Sequence, residues 1–143
     1  MAKQDVDDRF KKFGTVSFTK ISKVNDFIGY LEQGKVMATK SKACGATFFP
    51  PHADCSQCLA SDMAWTEVSG TGDLISFSKL QYGPVGFEDD LPYTIAVAQF
   101  QGVKVFGRMS KDLTDDQISV GMKVTVSPFN LGSDKILYQF NKA

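Results

Sequence analysis

Residues 40–65 read K-S-K-A-C-G-A-T-F-F-P-P-H-A-D-C-S-Q-C-L-A-S-D-M-A-W, and they hold all three cysteines of the chain, its single histidine and its single tryptophan. Cys55-Ser56-Gln57-Cys58 is a C-x-x-C knuckle, a turn that aims two thiolates at one point and suits a tetrahedral zinc ion. Cys44-Gly45 reads as the second half of a matching knuckle, because a glycine there takes a left-handed backbone and lets amides point at a sulfur. The position of that knuckle's first cysteine is occupied by Ser41. The pattern S-x-x-C-x10-C-x-x-C is therefore a zinc ribbon with three thiolates and one changed ligand position.

Other readings of these thiols compete. Three cysteines also serve as small buried apolar residues. A redox pair at Cys55 and Cys58 would ordinarily open a helix in a βαβ pattern, whereas this pair follows Pro50-Pro51-His52. Serine is a poor zinc ligand because its hydroxyl stays protonated at neutral pH. The fourth donor is left open among Ser41, His52, Asp54 and water.

The flanking chain is helical before this window and β-rich after it. Phe10 and Phe13 are spaced for one face of a short helix within residues 1–13, with a frayed tail as the alternative. Residues 14–20 have strand-like composition and also suit an extended linker. Asn25 reads as the cap of a helix D-F-I-G-Y-L-E-Q that Gly34 stops, with Phe27 and Leu31 on one face and Ile28 beside them. So short a helix must dock, on its own core or on a partner. Residues 35–39 read as a strand into the first knuckle, Thr47-Phe48-Phe49 as the return strand, and Pro50-Pro51 as its end. One of the adjacent Phe48 and Phe49 faces the ribbon's inside, and the other packs on the next domain or a ligand.

Residues 65–81 are expected to be one long bent strand with Gly70 and Gly72 at the bend. A Gly- and Pro-rich loop follows over 82–92, then strands over 93–100 and 103–109 joined at Gln101-Gly102. A helical turn over 112–119 precedes strands over 123–128 and 136–140. Five strands with a helical element between the third and fourth make a small OB barrel, and that element favours it over an SH3-like barrel. The expected architecture is mostly β: short N-terminal helices over 1–34, a zinc-ribbon module over 35–64 and a five-stranded OB-fold domain over 65–143.

Composition narrows the function classes. The 143 residues are 43% hydrophobic, enough for one ordinary core or two small ones. Sixteen basic and sixteen acidic residues cancel, so net charge supplies no drive toward nucleic acid or an anionic membrane. An odd cysteine count with knuckle spacing fits a reducing cytoplasm. No run approaches membrane-spanning length, and the first residues lack the apolar core of a signal peptide.

The sequence resembles the acyl-CoA-associated OB-fold family that carries an N-terminal rubredoxin-like zinc ribbon. The likeness rests on L-E-Q-G-K-V-M-A-T-K at 31–40, C-G-A-T-F-F-P-P at 44–51, D-C-S-Q-C at 54–58 and S-D-M-A-W at 61–65. It continues with V-S-G-T-G at 68–72, G-P-V-G-F-E-D-D-L-P-Y at 83–93 and G-M-K-V at 121–124, in collinear order. The family's ribbon has four cysteines. Cys44, Cys55 and Cys58 carry over as metal ligands, and Ser41 carries over only as the position of the fourth, with His52 as an alternative donor.

The resemblance implies a non-catalytic accessory subunit of a thiolase-superfamily enzyme, in a complex whose ligand is an acyl-CoA. Family members bridge a thiolase and a hydroxymethylglutaryl-CoA synthase, partner aldolases of steroid side-chain degradation, or partner thiolases of anaerobic aromatic breakdown such as benzoylsuccinyl-CoA thiolysis. On that reading the helix residues Phe27, Tyr30 and Leu31 and the ribbon residues Phe48, Phe49, Pro50 and Pro51 contact the enzyme. Tyr82, Gly83 and Phe87 of the loop lie near the acyl-CoA. Lys35, Lys40 and Lys42 meet its phosphates, or else form a solvated face.

The residues themselves also speak against catalysis within the chain. A thiolase pairs a nucleophilic cysteine with a histidine base, and the only histidine here sits in a Pro-rich turn beside a knuckle. Three cysteines plus water is formally an open catalytic zinc site, with Asp54 as the only nearby base. The alternative class is single-stranded nucleic-acid binding through Phe77, Tyr82, Phe100 and Phe106, which strand alternation assigns instead to barrel core. The acidic run Glu88-Asp89-Asp90 opposes a phosphate-binding face.

Overall fold

The computed structural model describes residues 6–17, 19–132 and 134–143. Residues 1–5 of the expected first helix and Phe18 of the expected strand over 14–20 lie outside the described residues.

The first part of the chain is short elements wrapped on one aromatic cluster. A 3-10 turn spans Arg9–Lys12, and the expected strand after it is bends and coil. Helix α1 spans Asp26–Glu32 and buries Phe27, Ile28 and Leu31. Gly34 ends it as expected, its N–H bonded to Leu31 O at 3.0 Å. Asn25 does not cap it. Its own backbone is already helical (φ −57°, ψ −28°), and its side-chain oxygen accepts from the Ser22 N–H at 3.1 Å. Phe27 meets the rings of Phe10, Phe13, Phe49 and Tyr138, with centroids 5.8–6.3 Å apart. Such edge-to-face and offset contacts add to the area each ring buries.

The ribbon is a three-stranded antiparallel sheet in the order β2-β1-β3. β1 is Met37–Ser41, β2 is Thr47–Phe48 and β3 is Met63–Glu67. The expected strand over 65–81 is two strands. Trp65 pairs with Thr39 in the ribbon sheet, and the chain leaves that sheet before β4 (Gly72–Leu80) begins the barrel. Gly70, at φ +76°, lies at the bend between the two strands, and the bulge of β4 comes later, between Leu74 and Ser76. Gly72 serves close approach instead: a Cβ there would sit 3.0 Å from both Gln99 O and the Phe100 ring.

The barrel sheet runs β6-β5-β4-β7-β8, all antiparallel neighbours. β5 is Tyr93–Phe100, β6 is Val103–Arg108, β7 is Lys123–Gly132 and β8 is Lys135–Lys142. β5 alternates strictly, with Thr94, Ala96, Ala98 and Phe100 buried, as a sheet with one face on a core must. The sheet's two outer strands meet through one parallel bridge, Met109 with Phe140, where Ser110 N–H donates to Phe140 O at 2.8 Å. This is the five-stranded OB arrangement, and the expected helical element sits between β6 and β7 as a 3-10 turn, Asp115–Gln117. Thr114 and Gln117 form a reciprocal capping box on it. Among the described residues no helix is long and apolar enough to cross a membrane.

Candidate metal centre and the surfaces around it

The two knuckles are built alike, bond for bond. In the second, Cys55 N–H donates to Ala60 O (2.9 Å), Leu59 N–H to Cys55 O (2.9 Å) and Cys58 N–H to Cys55 Sγ (3.5 Å). In the first, Ser41 N–H donates to Ala46 O (2.8 Å), Gly45 N–H to Ser41 O (2.9 Å) and Cys44 N–H to Ser41 Oγ (3.3 Å). Both turns need a left-handed residue at the fifth position: Gly45 supplies it at φ +79°, and Leu59 supplies it at φ +63° at a cost glycine does not bear. Ser41 is thus the structural counterpart of Cys55. The two are equally buried, each 1% exposed.

The sulfur atoms of Cys44, Cys55 and Cys58 lie within 4.8 Å of one another, with Cys44 Sγ 3.5 Å from Cys55 Sγ. Ser41 Oγ lies 3.5 Å from Cys58 Sγ. Four ligands at about 2.3 Å from a tetrahedral zinc ion stand roughly 3.8 Å apart, so the donors match its corners. The three thiols are free of disulfides. At Cys55 the Cys58 amide pointing at the sulfur outweighs burial and brings the thiol down to about 7. That favours the thiolate a metal requires. His52 stands outside this thiol group. Its ring stacks on Phe48 at 4.4 Å, and its backbone N–H donates to Thr39 Oγ1 at 2.8 Å. Asp54 is exposed and also outside the group.

The expected partner surface is part core and part exposed. Phe27, Leu31 and Pro51 are buried, and Phe27 and Leu31 belong to the chain's own core. Phe49 packs edge-on to Tyr138 of β8 at 5.2 Å, which makes it the phenylalanine that joins ribbon to barrel. Tyr30 is half-buried against Trp65, Phe48 is half-buried, and Pro50 is exposed. Leu59, which sequence reasoning passed over, is 81% exposed at the end of the second knuckle. A leucine in a C-x-x-C-L turn carries no signal that separates a solvent-facing position from a packed one.

Lys35, Lys40 and Lys42 are all exposed, and Lys42 pairs with Asp62 at 3.3 Å. They belong to the ribbon, whereas Tyr82, Gly83 and Phe87 belong to the connection between β4 and β5. Tyr82 and Val85 stand out at 88% and 89% exposure, and Phe87 is half-buried beside Tyr93. The far end of the loop is pinned. Asp90 pairs with Arg108 of β6, accepts from Lys111 Nζ at 3.1 Å, and accepts from Thr15 Oγ1 at 2.9 Å. Burial alone would raise the Asp90 carboxyl; these donors outweigh it and hold the group below its usual range. The Asp90–Arg108 pair was not legible in the sequence, where Asp90 reads as one of three consecutive acids.

Of the four candidate stacking aromatics, only Phe100 is core, 2% exposed and stacked on Phe140. Phe77, Tyr82 and Phe106 are at the surface, contrary to the alternation argument. Phe77 sits within β4 opposite Ala96, and Phe106 sits within β6 opposite Val97. Successive positions of β5 face opposite sides, so Phe77 and Phe106 do not form one platform.

Two family models match consecutive stretches: a ChsH2 rubredoxin-like zinc ribbon domain over residues 30–64 and a ChsH2 C-terminal OB-fold domain over residues 65–127. The chain belongs to the ChsH2 family. Among curated relatives of this ChsH2-type chain, a DUF35 domain-containing scaffold protein of Methanocaldococcus jannaschii is 26% identical over 91 residues. That alignment covers 62% of this chain and spans 64% of the relative's length. Among solved structures, the Ltp2-ChsH2(DUF35) aldolase superposes with a TM-score of 0.66 at 23% identity, over 81% of this chain and 93% of that one. A DUF35-family protein of unknown function from Sulfolobus solfataricus superposes with a TM-score of 0.56 at 17% identity, over 82% and 83%. At these identities the structural likeness establishes the fold.

Proposed function

We propose that the chain is a non-catalytic accessory subunit of a thiolase-superfamily enzyme, a scaffold that assembles the enzyme and shapes its acyl-CoA passage. One observation carries this reading. The only thiols converge on a single point in the ribbon, while the only histidine ring is stacked on Phe48. No thiolate–imidazole pair is left to attack a thioester. A relative named a scaffold protein and a structural neighbour named Ltp2-ChsH2(DUF35) aldolase support the same reading.

In this reading zinc is held by Cys44, Cys55 and Cys58, and its contribution is to tie the two knuckles together. Tyr30, Phe48, Pro50 and Leu59 offer accessible apolar surface for the enzyme, and Tyr82, Gly83 and Phe87 approach the acyl-CoA. Lys40, within β1, and Lys42, just after it, are the exposed cations that would meet the acyl-CoA phosphates. The opposing orientation of Phe77 and Phe106 gives the nucleic-acid alternative no support.

Co-expression with a thiolase-fold enzyme from the same host tests the proposal. The expected result is a stable complex on size exclusion that cleaves or forms an acyl-CoA thioester, with each chain inactive alone. Full activity of the enzyme chain without this subunit defeats it.

A further inference from the structure

We infer that the ribbon is a three-thiolate zinc site whose fourth corner is the Ser41 hydroxyl, so that its ion exchanges where a four-cysteine ribbon would keep it. The inference rests on the ribbon being a metal site and is independent of the enzyme partner.

Ser41 is not a vacated position. Its backbone N–H and carbonyl are both bonded within the knuckle, to Ala46 O at 2.8 Å and from Gly45 N–H at 2.9 Å. Its hydroxyl accepts the Cys44 amide and faces Cys58 Sγ. Because the residue is 1% exposed, bulk water has little room to replace it. Among the described residues the thiols are joined by no carboxylate or imidazole. The hydroxyl is therefore the donor the fold itself presents at the fourth corner.

That donor holds zinc less well for three reasons. A neutral hydroxyl contributes no charge, so the site carries one negative charge fewer than a four-thiolate site. An oxygen binds at about 2.0–2.2 Å where sulfur binds at about 2.3 Å, and the serine arm is also shorter, so the knuckle must close further to reach the ion. Cys44 and Cys58 are both exposed, which opens the outer side of the site to a competing chelator. Part of the ribbon's fold does not depend on the ion. β1 keeps its ladder to β3 from Met37 to Ser41, and Val36, Ala38 and Thr39 stay buried without any metal contact. Exchange can thus proceed without unfolding.

The test uses the full chain as wild type, S41C and S41A, loaded with zinc. X-ray absorption is read for the first shell, and transfer to a chromophoric chelator is read for rate. Wild type is expected to show three sulfurs and one oxygen, and S41C four sulfurs. Release is expected to slow by at least about 10–100-fold in S41C, the scale on which even outer-shell partners change metal affinity, and to quicken several-fold in S41A. A fourth sulfur or imidazole scattering in wild type overturns the inference. So does S41A releasing no faster than wild type, which would make the fourth ligand water, or S41C releasing as fast as wild type. If S41A does not fold, the wild-type shell and the S41C rate decide alone. Absence of zinc binding at saturating zinc, with the fold intact, overturns the metal reading itself.

Discussion

The barrel buries Leu74, Ala98, Val105, Val124 and Phe140 to 1% exposure or less, whereas the ribbon's most buried residues include Ala38, Thr39, Ser41 and Cys55. The barrel interior is apolar and continuous from strand to strand. The ribbon interior is small and polar, held by hydrogen bonds within each knuckle and by converging thiols. One region therefore draws its stability from removal of hydrocarbon from water, which is non-local, and the other from local bonds and shared donors. The aromatic cluster of Phe13, Phe27, Phe49 and Tyr138 couples them, with a ring from the N-terminal segment, the helix, the ribbon and the barrel. Damage to each region should accordingly look different.

The largest effect is expected from Phe140→Ala, which empties a fully buried site where the barrel's outer strands meet. It should cost about 3–5 kcal/mol in urea unfolding. A cost near zero would mean that the barrel is not the stability core. Asp90→Asn should remove about 1.5–3 kcal/mol, the scale of a charged hydrogen bond, because the pair with Arg108 anchors the 82–92 loop to β6. Its pH dependence has a definite sign. The folded carboxyl is held below its ordinary value by Arg108, Lys111 and Thr15, against a burial contribution that raises it. The stabilisation is present above about pH 3.9, the unfolded value, and is lost as pH falls through the lower folded value. The gap between wild type and D90N in urea midpoint should be full at pH 7 and shrink in strong acid. A gap that widens toward acid contradicts the assignment.

Cys55→Ala separates the regions most cleanly. Zinc content should fall to background by metal analysis, while barrel stability changes by about 1 kcal/mol or less, an ordinary point-mutant value. Collapse of the whole fold would show that the ribbon, not the barrel, sustains the chain. Smallest is Lys42→Gln, which breaks an exposed pair with Asp62 and should move the urea midpoint by less than about 0.5 kcal/mol.

The legible features were those with a local rule behind them. Cysteine spacing located both knuckles, and alternation in 93–100 located the central barrel strand. The sequence showed that the paired phenylalanines face two ways but not which faces where; the structure sends Phe49 to Tyr138 of the barrel and stacks Phe48 on His52. Most of what escaped was non-local, and the Asn25 miss was a competing local bond. Trp65 begins no barrel strand because β1 offers it a ladder first, and nothing within 65–81 records the position of β1. Asn25 has the composition of a cap but spends its side chain on Ser22. Asp90 and Arg108 lie in different segments, so their pairing appears only when β5 and β6 are folded together. Phe77 shares the face of buried Ala96 and escaped because alternation does not say how far the barrel covers that face, whereas Phe106 lies on the outward face of β6, between buried Val105 and Gly107.

The most direct trial of the claim that these thiols build a scaffold is a thioester turnover assay on the isolated, folded, zinc-loaded chain, wild type beside Cys44→Ala. The expected result is no turnover by either. Turnover of an acyl-CoA by the wild-type chain alone, lost in Cys44→Ala while circular dichroism shows the fold intact, would contradict it.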